Sequence, residues 1–148
     1  PENTVTEYCR LLSEAFEACN DGKPLPSADN SDLPEALERN YQAVMAQLQT
    51  PYLSRFIAVD VRPLLPQITC PVLALNGTKD IQVNYENNLE ALRNGLNGTA
   101  SVTIRPVEGV NHIFQTCTTG RVEEYKDIEE TISPSVLSDI TTWISNLK

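Results

Sequence analysis

Basic residues are scarce in this sequence. Lys and Arg number 11 against 20 Asp and Glu, giving a formal net charge of −9 and a pI near 4.5. That balance repels phosphate backbones and anionic lipid, so neither nucleic acid nor a membrane surface suits as a partner. Long apolar runs are also lacking: none approaches the roughly 20 residues that cross a bilayer. None of the four cysteines, Cys9, Cys19, Cys70 and Cys117, forms a C-x-x-C pair, so the sequence carries no zinc pattern. An even count would permit disulfides. A chain of 148 residues with 41% hydrophobic content can instead fold around an apolar core, so buried free thiols are expected. The opening residues, Pro1-Glu2-Asn3-Thr4, hold no initiator Met, basic segment or apolar leader core. The expectation is a chain that starts inside a longer product or after processing. Its compartment, cytoplasmic or exported, is left open.

Present instead are helices first and strands later. Val5, Tyr8, Cys9, Leu12, Ala15, Phe16 and Cys19 recur at helical spacing and predict a helix over 4–19, with Thr4 and Glu7 at capping-box spacing. Asn20-Asp21-Gly22 ends it. A polar loop leads to a second helix, capped by Asp32 and with Leu33, Leu37, Tyr41, Val44, Met45 and Leu48 on its apolar side. Thr50-Pro51 breaks that helix; a shorter helix over 52–59 and a Pro-bounded helical turn over 60–67 follow. Then the character changes. Pro71-Val72-Leu73-Ala74-Leu75 is a continuous apolar run stopped by Asn76-Gly77, the mark of a strand buried on both faces. A helix over 85–93 comes next, with Asn84 as cap and Leu89, Ala91 and Leu92 apolar, then a second strand over 101–105. Such strand–helix–strand units join parallel strands. Ser133-Pro134 opens a last helix whose apolar stripe is Val136, Leu137, Ile140, Trp143, Ile144 and Leu147.

Two parallel strands leave edges unpaired and need cover on both faces. The expectation is an α/β fold that forms the edge of a larger sheet, preceded by helices that lie over it: a helical segment 1–59 and a core segment 60–148.

In open parallel sheets, ligands bind beyond the carboxyl ends of the strands. Asp80 follows the first strand and His112 the second, so both loops share one edge. His112 is the only histidine, and no other imidazole competes with it. A carboxylate on a neighbouring loop can fix the imidazole tautomer and stabilise the imidazolium formed in catalysis. Taken singly, an Asp in that position is more often a turn former, and a lone His a structural or surface residue.

The surroundings favour chemistry. The stretch from Ile68 through Pro71-Val72-Leu73 to Gly77-Thr78-Lys79-Asp80 resembles the penultimate strand and acid loop of α/β-hydrolases. Gly109-Val110-Asn111-His112 resembles the histidine loop of the same family, and the order of acid before base agrees. The resemblance is strongest over 68–148, weaker over 51–67, and closest to bacterial esterase- or serine aminopeptidase-like members with a helical lid. It implies the last two strands and covering helices of an α/β-hydrolase fold, preceded by a cap. It also implies Asp80 and His112 as triad acid and base, an acyl substrate with ester or amide bonds, and no cofactor or metal.

The family's G-x-S-x-G nucleophile turn is missing: none of the six glycines can supply it. Cys117 is a weak substitute, since reactive thiols need an activating environment. The chain is therefore expected to be inactive alone and to need a missing N-terminal half of the hydrolase. Leu11, Phe16, Tyr41 and Met45 could shape an apolar acyl pocket, though packing the lid onto the core is the plainer role. The acidic residues Glu123, Glu124, Glu129 and Glu130 fit a solvated face. The sequons at Asn76 and Asn97 fit turn chemistry. The alternative is a non-catalytic α/β binding or oligomerisation domain, for which Asp80 and His112 need not meet. In either case the open sheet edge suits self-association.

Overall fold

A computed structural model of the chain describes residues 2–27, 33–99 and 101–147. The fold is mixed α/β: a helical N-terminal part, then two parallel strands with packed helices. The chain divides into two compact units, Pro1–Asp60 and Val61–Lys148.

The first unit is helical: α1 (Glu2–Asn20), α2 (Glu35–Leu48) and α3 (Pro51–Ala58). Its core gathers Ala15, Cys19, Leu33, Tyr41, Met45 and Leu48, with Leu11, Leu12, Leu37, Val44, Leu53 and Ile57 packed around them. Complete burial of a large apolar side chain such as Leu48 contributes about 1.5–3 kcal/mol. Val5 and Phe16 stay exposed despite their helical spacing. The capping box at Thr4 does not form. The helix already runs from Glu2, and the Glu7 carboxylate is taken by Arg10, one turn on, at 2.6 Å. The α1 terminus closes at Gly22, with Lys23 N–H donating to the Ala18 carbonyl at 2.8 Å and Gly22 N–H to that of Cys19 at 3.2 Å. The Asp32 cap lies outside the described residues; α2 begins at Glu35, and Pro34 holds its N-cap position. Thr50 caps α3, its hydroxyl accepting from Leu53 N–H at 3.3 Å, with Pro51 in the first turn.

The second unit starts with a 3₁₀ turn, Arg62–Gln67, then β1 (Val72–Gly77), α4 (Tyr85–Gly95), β2 (Val102–Val107), a second 3₁₀ turn at Val122–Asp127, and α5 (Pro134–Ser145). The strands pair in parallel from Val72 opposite Val102 to Gly77 opposite Val107. Asn76 and Gly77, expected to stop β1, are its last two residues. Side chains alternate along a strand, so α4 and α5 take different faces. On one, Asn76 bonds Asn88 of α4 at 2.7 Å. On the other, Val107 packs with Val110 and Val136, and Trp143 of α5 donates to the Thr103 hydroxyl at 3.2 Å.

Asn84 caps α4 as expected, accepting from Asn87 N–H at 2.9 Å. Of the α4 apolar positions, Leu89 is buried and Ala91 exposed; Leu96, just past the helix, completes the inner side. In α5, Val136 is buried while Leu137 and Ile144 are exposed, as is Leu147 just past the helix, a narrower stripe than the periodicity predicts, because a two-stranded sheet covers only part of it. The thiols divide likewise: Cys19 is buried, Cys117 half-buried, and Cys9 and Cys70 exposed, against the expectation of four buried thiols. Cys9 lies on the outer side of α1, and Cys70 precedes the strand in an exposed turn.

Candidate functional site at the strand ends

The two strands deliver their following loops side by side, and backbone bonds hold the loops together. Thr78 N–H donates to the Val107 carbonyl at 2.9 Å and Lys79 N–H to that of Val110 at 3.0 Å. Gly109 N–H donates to the Thr78 hydroxyl at 2.9 Å. Gly77 permits this approach: a Cβ there would stand 2.2 Å from the Val110 carbonyl oxygen.

Asp80 and His112 meet. His112 Nδ1 lies 2.9 Å from Asp80 Oδ2. The same oxygen accepts from the Asn76 amide at 3.0 Å. The other, Oδ1, accepts from the N–H groups of Gln82 and Val83, both at 2.9 Å. Four donors thus fill the carboxylate, whose side chain is only 4% exposed. Burial pushes the Asp80 pKa up, but the bonds from Val83 N–H, His112 and Gln82 N–H outweigh it and hold the group below the ordinary carboxylate value. Asp80 is therefore ionised at neutral pH and can only accept. The proton between them belongs to Nδ1, so in a neutral ring Nε2 is the lone-pair nitrogen. The His112 side chain is 38% exposed, and among the described residues Nε2 has no hydrogen-bond partner. Asp80 also closes a turn through Gln82 and Val83, so it is a turn former and an imidazole partner at once.

A tight turn carries His112. Asn111 is fully buried; its side-chain oxygen accepts from Ile113 N–H at 3.1 Å and Gln115 N–H at 2.9 Å, and its amide donates to Gln115 Oε1 at 3.1 Å. Phe114 sits at a φ of 61°, a conformation that costs a bulky residue about 1–3 kcal/mol. Packing of its ring beside Val136 and Val110, and the bond from Ser133 N–H to its carbonyl at 2.7 Å, hold it there.

Several residues of the site were not legible in advance. Asn76, expected to serve a turn, is a buried strand residue bridging Asp80 and Asn88. Its amide donates to the carboxylate. Among the acidic residues, Glu123 and Glu129 are exposed; Glu124 and Glu130 are partly exposed and also accept hydrogen bonds from the backbone. Glu130 accepts from Thr116 N–H. Glu124 accepts from Thr118 N–H at 2.7 Å, Thr119 N–H at 2.9 Å, the Thr119 hydroxyl at 2.6 Å and Gly120 N–H at 3.0 Å. These bonds, that of the Thr119 hydroxyl first, hold its pKa down at about 2. Burial, and then the Glu124 charge, push the Cys117 thiol up, so this thiol is poorly suited to attack a carbonyl.

A groove of about 560 Å³, lined by Val72, Leu73, Leu75, Phe114, Ile140 and Trp143 among others, runs between β1 and α5. No protein-family model, no curated protein and no solved structure matches this chain.

Proposed function

We propose that this chain is the C-terminal portion of a serine hydrolase of the α/β-hydrolase type, acting on ester or amide bonds. It supplies the acid and the base of the triad and not the nucleophile. The observation that carries this reading is the bond from His112 Nδ1 to an Asp80 carboxylate whose other acceptor positions are already occupied. A carboxylate so held fixes the imidazole tautomer, and Nε2 is free to take a proton from a serine hydroxyl and return it to the leaving group. That serine, and the oxyanion hole beside it, would come from an N-terminal half with further strands. The helices of 1–59 would act as its lid, and the substrate would be a small acyl compound. The rival reading, a binding or oligomerisation domain, accounts for the turn that Asp80 closes through Gln82 and Val83 but asks nothing of its bond to His112. Incubating the isolated chain with generic acyl esters tests the reading. No turnover is expected, and turnover abolished by Cys117→Ser would overturn it.

A further inference from the structure

The segment between His112 and α5 returns to the Asp80 loop at two places. Gly120, at a φ of +76°, lies so close to Lys79 that a Cβ on it would stand 1.8 Å from the Lys79 carbonyl oxygen. Tyr125 accepts at its hydroxyl from the Gln82 side chain at 3.1 Å. Lys79 and Gln82 flank Asp80, and Gln82 N–H is one of its donors. Lys79 is therefore held from both sides: its N–H donates to Val110 on the histidine loop, and its carbonyl abuts Gly120.

The conformation of 118–120 has one evident organiser. Three successive N–H groups and a hydroxyl converge on Glu124, one residue before Tyr125. A concave run of backbone N–H groups is an anion cradle, and here the anion is a side chain of the same segment.

We propose that Glu124 is a positioning residue for the Asp80–His112 pair: by gathering residues 118–120 it seats Gly120 against Lys79 and Tyr125 against Gln82, which fixes the acid loop within bonding distance of the imidazole. The proposal rests on the reading of Asp80 and His112 as a working couple. It assigns Glu124 no contact with substrate. Removing its charge should loosen the segment, let the Asp80 loop open more often, and expose the Nδ1 proton to solvent.

His112 is the only histidine, so its ring signals in a ¹H–¹⁵N spectrum are unambiguous. The test measures solvent exchange of the Nδ1 proton in Glu124→Gln and Tyr125→Phe. Asp139→Asn serves as comparison; it breaks the Arg105–Asp139 ion pair at the α5–β2 contact and reports general loosening of the unit. Exchange in Glu124→Gln should be about tenfold faster than in the unaltered chain, the scale of one lost charge-assisted hydrogen bond. A smaller gain is expected in Tyr125→Phe and little in Asp139→Asn. Unchanged exchange in folded Glu124→Gln, or an equal gain in Asp139→Asn, overturns the proposal. Should circular dichroism show Glu124→Gln unfolded, Tyr125→Phe decides, and unchanged exchange there overturns it. The readout needs no hydrolysis. A Glu124-dependent ring proton in a protein that never turns over acyl substrates would keep the brace and remove the hydrolase reading.

Discussion

Asn76 and His112 share one oxygen. Both donate to Oδ2 of Asp80, at 3.0 Å and 2.9 Å, from neighbouring strand ends, while Oδ1 is held by the backbone. The carboxylate is therefore oriented before the imidazole reaches it, and the behaviour of the pair should depend on groups that never touch a substrate.

Asp80→Asn keeps the shape and places an N–H where Nδ1–H now donates. The imidazole must then turn or change tautomer. If the chain completes a hydrolase as proposed, kcat of the whole should fall by roughly four orders of magnitude with little change in KM. Steady-state kinetics with an acyl ester checks this.

Asn76→Asp puts a second carboxylate beside Asp80 in a buried place. Like charges raise the pKa of the pair, so the penalty is largest where both would be ionised and is relieved as the pH falls and one proton is taken up. Urea unfolding at neutral pH should show a loss of about 1–3 kcal/mol, the cost of an unsatisfied buried polar group. The loss should shrink at pH 4.

Gly77→Ala forces the Val110 carbonyl away from β1. The expected cost is about 1–3 kcal/mol, as for other overpacked positions. The bonds from Thr78 and Lys79 to the histidine loop should weaken with it. Amide exchange at Thr78 and Lys79 should speed up more than at Ala74, within the strand.

Acid should weaken the second unit in two overlapping steps. The pKa of Asp80 is lowered from 3.8 in the fold, so its contribution is present above that value and is lost as the pH falls through its lower folded value. The pKa of Glu124 drops from 4.5 to about 2, so its contribution is lost between those values. The stability difference between the unaltered chain and Glu124→Gln should be constant above pH 5 and close progressively toward pH 2. Denaturation curves across that range measure it.

How much of this was legible beforehand follows from the physics of each residue. Asp80 and His112 could be read because parallel pairing fixes where loops emerge, and a strand–helix–strand pattern announces that pairing. The apolar face of α2 could be read because burial follows period. The supporting amides could not. Asn76-Gly77 has the chemistry of a turn, and only the approach of α4 and the histidine loop makes Asn76 a buried bridge. Asn111 and Gln115 pair through a turn that no periodicity marks. Glu124 looks solvated because a sequence does not show where backbone N–H groups converge. Thr4 caps nothing because the helix already starts at Glu2, and Arg10 takes the Glu7 carboxylate. The exposed Leu137 and Ile144 reflect the narrow sheet beneath α5.

The role of Asp80 and His112 is tested most directly by acyl-ester hydrolysis in a polypeptide that joins this chain to the N-terminal half proposed for it, with and without His112→Ala. If the pair serves a serine from that segment, the joined protein hydrolyses the ester, His112→Ala abolishes turnover, and the isolated chain is inert. Hydrolysis that survives His112→Ala would contradict it.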